Sequence, residues 1–186
     1  MSAQRGARIS AAMKHAPLLL LLAVAAPGLG FAATTPAADA PKPLGVFKSW
    51  TAATYGTGAD KACYAFALST LPKGSKATPA MLTVTERAAF RDEISLSQGI
   101  TYTKDAKVDL AVGGTKLKFF TKDNMAYAMK GAETTKAFLG GSSVTATATA
   151  PNAKPVSDKF GLDGFSDAYK AIQKACPASA PTPKKS

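Results

Sequence analysis

Between residues 107 and 120, apolar and polar side chains alternate with a period of two on both sides of a Gly113-Gly114 pair. Val108, Leu110 and Val112 lead into the glycines, Thr115, Leu117 and Phe119 follow them, and Lys107, Asp109, Ala111, Lys116 and Lys118 fill the alternate positions. Successive side chains of a strand point to opposite faces, and paired glycines supply the positive φ angles of a two-residue hairpin turn. Folding the segment at that turn sets Val112 opposite Thr115, Leu110 opposite Leu117 and Val108 opposite Phe119 on one face. Asp109 then meets Lys118 on the other face. One register satisfies both the apolar set and the charged pair, which predicts an antiparallel hairpin.

The same alternation recurs elsewhere. Residues 47–54 and 61–69 read as strands flanking a Gly56-Thr57-Gly58 turn, 81–87 and 93–97 as a second antiparallel pair, and 144–150 and 156–162 as further strands. Two segments switch to helical spacing. Residues 132–139 form a short helix closed by Gly140-Gly141. Residues 164–175 place Phe165, Ala168, Tyr169, Ile172 and Cys176 on one face, with Asp163 and Asp167 at the start, Lys170 and Lys174 towards the end, and Pro177 as a stop. The predicted fold is mainly β: an antiparallel β-sandwich or partly closed barrel over residues 44–176, with a short internal helix and a C-terminal helix packed on the sheet.

The ends of the chain have a different character. Arg5, Arg8 and Lys14 precede an apolar run at 18–26 and a small-residue site, Gly30-Phe31-Ala32. This is the pattern of a secretory leader over residues 1–32, with cleavage between Ala32 and Ala33. The run is too short for a transmembrane span, and no cysteine stands at the cleavage point to accept a lipid. Residues 33–43 and 177–186 are rich in Ala, Pro and Thr or Ser without large apolar side chains, and are expected to be a flexible linker and a disordered tail. The expected destination is the periplasm or cell envelope.

Removing the leader's three bases from 23 Lys plus Arg leaves 20 against 12 acids, a mature net charge of +8. Of those bases only Arg87 and Arg91 are arginines, and the lysines are spread along the chain. Export and the scarcity of guanidinium forks argue against nucleic acid as a partner and for an anionic envelope polymer or another protein, with peripheral association at a membrane surface. The chain's single histidine, His15, lies in the leader. The mature chain therefore cannot build a Ser-His-Asp triad, a Cys-His dyad or a histidine zinc site, and no catalytic residue, cofactor or metal is expected. Gly56-Thr57-Gly58 lacks the third glycine of a phosphate cradle, Asp92 and Glu93 read as solvated turn charges, and Met125 and Met129 read as core.

Cys63 and Cys176 are the only cysteines, and an even pair in an exported protein reads as one disulfide. Cys63 shares a strand face with Ala65 and Ala67, small enough for another element to approach closely, so the terminal helix is expected to lie there, tied by the bond.

Val46-Phe47-Lys48-Ser49-Trp50-Thr51, then Ala62-Cys63-Tyr64-Ala65, and the closing run from Phe160-Gly161-Leu162-Asp163 to Gly164-Phe165-Ser166-Asp167-Ala168-Tyr169 resemble the invasion-associated locus B family of exported Gram-negative proteins. The resemblance rests on a Phe-x-x-Trp opening, a cysteine soon after it and a Leu-x-Gly-Phe-x-x-Ala helix at the end. It departs in the cysteines, since many members carry additional ones. The resemblance implies a β-rich periplasmic or envelope-associated protein and transfers no catalytic residue. The expected function is non-enzymatic binding of a protein or anionic cell-surface polymer. The alternative is a small-ligand carrier whose apolar pocket is lined by Trp50, Tyr64, Phe119 and Phe120.

Overall fold

A computed structural model describes residues 40–104, 106–150, 152 and 154–179. The leader, its Ala32-Ala33 cleavage site, most of the linker and the last seven residues lie outside the described residues. The strands are β1 (Lys42–Phe47), β2 (Trp50–Tyr55), β3 (Ala62–Leu68), β4 (Met81–Glu86), β5 (Glu93–Ser97), β6 (Val108–Val112), β7 (Thr115–Lys122), β8 (Met125–Ala128), β9 (Ser143–Thr149) and β10 (Pro155–Gly161). The helices are α1 (Gly131–Gly140) and α2 (Phe165–Ala175).

All ten strands join one antiparallel sheet in the order β1-β2-β3-β4-β5-β8-β7-β6-β9-β10. The β6–β7 hairpin pairs Val112 with Thr115, Leu110 with Leu117, Val108 with Phe119 and Asp109 with Lys118, as the alternation predicts. The expected mainly β architecture, with its two helices, is therefore present. The sheet is not closed into a barrel, because β1 and β10 remain unpaired edges. It does roll over on itself. The Thr70 N–H, just beyond β3, donates to the Lys159 carbonyl of β10 at 2.8 Å, and Gln98 Nε2 donates to Asp158 Oδ2 at 2.7 Å. Inside the roll lie Leu82, Val84, Ile94, Leu96, Leu110 and Phe160, all essentially solvent-free.

Helix α2 covers one part of this inner face, against β1, β2, β3 and β4. It can sit close because the strands beneath it present Ala52, Cys63 and Ala65, each fully buried. Cys63 and Cys176 are bonded, with Cα atoms 5.8 Å apart, joining the end of α2 to β3. At the other end of the helix, the Trp50 ring packs on Phe165 at 4.8 Å between centroids, and Phe165 in turn meets Phe138 of α1 edge-on at 5.5 Å. Trp50 Nε1 donates to the Gly161 carbonyl at 3.1 Å, and the Ser49 N–H to the Asp163 carbonyl at 3.3 Å. The Phe-x-x-Trp opening and the Gly-Phe closing thus meet in space as one clasp between the two ends of the folded chain.

Gly164 is the tightest point of that clasp. Its φ of 85° lies in the left-handed region, and a β-carbon there would strike the Phe47 carbonyl group. The approach also depends on Lys48, whose φ of 52° turns the chain between β1 and β2. This corrects the reading of residues 47–54 as one strand: the strand ends at Phe47 and a new one begins at Trp50. No glycine, proline or asparagine marks the break, so only the packing partner reveals it. Strand β1 also takes in Lys42 and Pro43, which composition assigned to the linker; they pair with Thr54 and Ala53. In the tail, the Ser179 N–H donates to the Ala88 carbonyl at 3.0 Å.

Gly164→Ala is expected to lower folding stability by at least about 2 kcal/mol, since it combines backbone strain with a steric clash. Cys176→Ser removes a cross-link between residues 113 apart in sequence and is expected to cost about 4 to 5 kcal/mol in the chain-entropy account. Urea unfolding of the two variants checks both; a Gly164→Ala midpoint equal to wild type would remove the clasp argument.

Candidate anionic-ligand groove

Strand β7 has eight residues but β8 has four, and β8 pairs only with residues 119–122 of its neighbour. Beyond Ala128 the chain leaves the sheet, held by a hydrogen bond from the Met129 N–H to the Lys118 carbonyl at 3.0 Å, and enters α1. The first half of β7 therefore has a gap beside it where a strand would otherwise lie. The gap is a groove of about 400 Å³ lined by Lys116, Lys118, Met129, Lys130 and Glu133, among others. Lys118 and Met129 also line a second hollow of about 230 Å³ together with Lys107 and Asp109.

The charge balance in the groove is positive. Lys130 Nζ is held by Glu133 at 2.9 Å, but the close ion pairs among the described residues leave Lys116 and Lys118 without an acid partner. Asp109 faces Lys118 in register without closing to an ion pair. Met129, read from the sequence as core, is 64% exposed at the rim, because β8 ends before it. Two ammonium groups without an ion-pair partner among the described residues, beside a soft apolar side chain, suit an anionic ligand with some apolar surface.

A second cluster of charge is structural. Glu86 is fully buried on the inner face of β4, and Arg91 Nε lies 2.5 Å from its Oε2, a contact of charges that does not align an N–H with the oxygen. Arg91 Nη1 donates to the Cys176 carbonyl at 2.6 Å. Burial pushes the Glu86 carboxyl above its ordinary 4.5, with Arg91 pulling it down and Asp92 adding to the rise. Asp92 is not the solvated turn charge expected from its neighbourhood. Its Oδ1 accepts from Tyr169 Oη at 2.6 Å and Thr135 Oγ1 at 2.8 Å, which joins α2 and α1 to the β4–β5 turn. Glu93 does stay exposed, paired with Arg87 at 3.3 Å. Burial, then the bond to Asp92, raises the Tyr169 phenol well above its usual value. These groups are spent on one another and on backbone carbonyls.

The four aromatic residues proposed to line a carrier pocket do not share a cavity. Trp50 and Phe119 are buried on the inner face, whereas Tyr64 and Phe120 stand on the outer one. That division removes the lining on which the carrier reading depended. Among the described residues no cluster of His, Cys, Asp or Glu could hold a metal ion, and no helix is long and apolar enough to cross a membrane. The groove itself escaped the sequence reading, because the signal is a mismatch in strand length rather than a motif.

A family model for invasion associated locus B (IalB) protein matches residues 50–173. The structure is similar to the crystal structure of invasion associated protein B from Bartonella henselae, with a TM-score of 0.53 and 13% identity over 70% of this chain and 96% of that one. At that identity the likeness is one of fold. No curated protein sequence matches.

The buried Glu86 has a signature in the pH dependence of stability. Its pKa is raised in the folded state, so its contribution is fully present below the unfolded value and is lost as pH rises through the folded one. Relative to Glu86→Gln, the wild-type protein is therefore expected to lose stability as pH rises above the ordinary carboxylate value of 4.5, measured as urea midpoints. A difference that grows in favour of wild type over that range would mean that pairing with Arg91 outweighs burial.

Proposed function

The chain belongs to the invasion associated locus B family, and on that premise we propose that it is an exported, envelope-associated protein that binds an anionic cell-surface polymer and acts by binding rather than by turnover. The observation that carries this reading is the groove beside β7, where Lys116 and Lys118 stand exposed next to Met129, without an ion-pair partner among the described residues. Supporting it are the secretory pattern of residues 1–32 with cleavage after Ala32, the mature charge of +8 and a disulfide suited to an oxidising compartment. The lysines act in two ways. Their summed field draws an anionic surface in over roughly 8 Å at physiological ionic strength, and the groove then holds charged groups by direct contact.

Membranes carrying the protein, washed with rising salt, are expected to release it progressively. The exposed pair Lys116→Glu with Lys118→Glu, which leaves the core untouched, is expected to weaken association of the purified protein with lipopolysaccharide at least about tenfold at low salt. Binding that ignores both the salt and the double substitution would overturn the proposal.

A further inference from the structure

The outer face of the sheet carries a second pattern that continues from the groove. Cross-strand registers place Phe66 of β3 beside Thr83 of β4, Thr83 beside Ser95 of β5, Ser95 beside Tyr127 of β8, and Tyr127 beside Phe120 of β7. These five residues form one row across five adjacent strands, about 19 Å long at the usual strand spacing. Phe120 is 52% exposed, Phe66 and Tyr127 are half-buried, and Ser95 lies low between its neighbours at 8%. Rings therefore rise at both ends of the row, with the half-buried Thr83 and the buried Ser95 between them. The rings are also held in place by stacking: Phe120 on Tyr127 at 5.5 Å and 25°, and Tyr64 on Phe66 at 6.4 Å and 29°. Along β7 the same face carries Lys116, Lys118 and Lys122 on either side of Phe120, so the row runs directly into the cationic groove.

We infer that this row and the lysines of β7 together form a binding face for an acidic polysaccharide. The inference rests on the anionic-polymer reading above and names the polymer's chemistry. Each part of a sugar chain has a counterpart: the apolar C–H face of a pyranose stacks on an aromatic ring, its hydroxyls meet the half-buried Thr83, and its carboxylates meet the lysines. A polyphosphate would use the lysines and leave the rings idle. A neutral glycan would use the rings and leave the lysines idle. Lysine and serine are depleted at protein–protein interfaces, so lysines interleaved with the rings of β7 favour a charged sugar chain over a protein partner. The length of the row accommodates a few sugar units in sequence.

Polygalacturonate, dextran and polyphosphate serve as probes of these three chemistries, with the purified protein titrated at one fixed salt concentration. Polygalacturonate is expected to bind more tightly than polyphosphate of equal charge, and dextran weakly. Phe120→Ala with Tyr127→Ala is expected to weaken polygalacturonate binding at least about tenfold while leaving polyphosphate unchanged, and Tyr127→Phe, which keeps the ring, to retain it. A thermal melt of each variant separates loss of binding from loss of fold, and Phe66→Ala at the far end of the row provides a second variant if the first pair fails to fold. Equal binding of the two polyanions, or a double variant that still binds polygalacturonate normally, would overturn the glycan inference and leave the lysine reading standing. Failure of both polyanions to bind at low salt would overturn the two together.

Discussion

The contact on which the rest of the structure depends is the clasp at Gly164. A backbone without a β-carbon, in the left-handed region, lies against the Phe47 carbonyl, and that approach brings Phe165 onto the Trp50 ring. The two sides of the contact come from opposite ends of the folded chain. Until they meet, α2 has no place to bury its apolar face, and an isolated helix of 11 residues is marginal in water. Once they meet, Trp50, Phe138 and Phe165 form a continuous aromatic layer, and the Cys63–Cys176 bond holds the far end of the helix. The residues on which the resemblance rests are thus ones that hold the fold together, and what they transfer is architecture.

The two faces of the sheet divide the work. The inner face pairs small residues under α2 with larger aliphatic ones inside the roll, so the helix approaches closely where Cys63 and Ala65 lie and the sheet packs against itself where Leu82, Leu96 and Leu110 lie. The buried charges belong to this face too. Glu86 and Arg91 sit beside the disulfide, and Asp92 collects hydroxyl donors from both helices, so the charges at the β4–β5 turn are met within the turn and by groups from α1 and α2. The outer face carries no such obligations. It is free to present lysines, hydroxyls and half-buried rings, and on it the proposed binding surfaces lie.

A short strand is what turns that surface into a groove. Were β8 as long as β7, the Lys116–Lys118 segment would be paired on both sides and flat. The early exit of the chain at Met129 leaves instead a recess with cationic walls. The proposed binding site rests on a termination in the sheet, which leaves no signature of spaced residues in the sequence.

Local alternation alone determined much of this protein. The β6–β7 hairpin, its register, the β4–β5 pair, the positions of both helices and the partnership of the two cysteines follow from period, turn glycines and parity, because each depends on residues close in sequence or on a count. Tertiary structure decided the remainder. The break at Lys48 is imposed by Gly164 more than a hundred residues away, the role of Asp92 by hydroxyls on two helices, and the exposure of Met129 by the length of β8. That Trp50 and Tyr64 lie on opposite faces of the sheet follows from the β2–β3 register, which pairs Tyr64 with Ala53. Sequence patterns carry the phase of a strand but not the identity of what will pack against it, since that partner is chosen by the global burial of apolar surface.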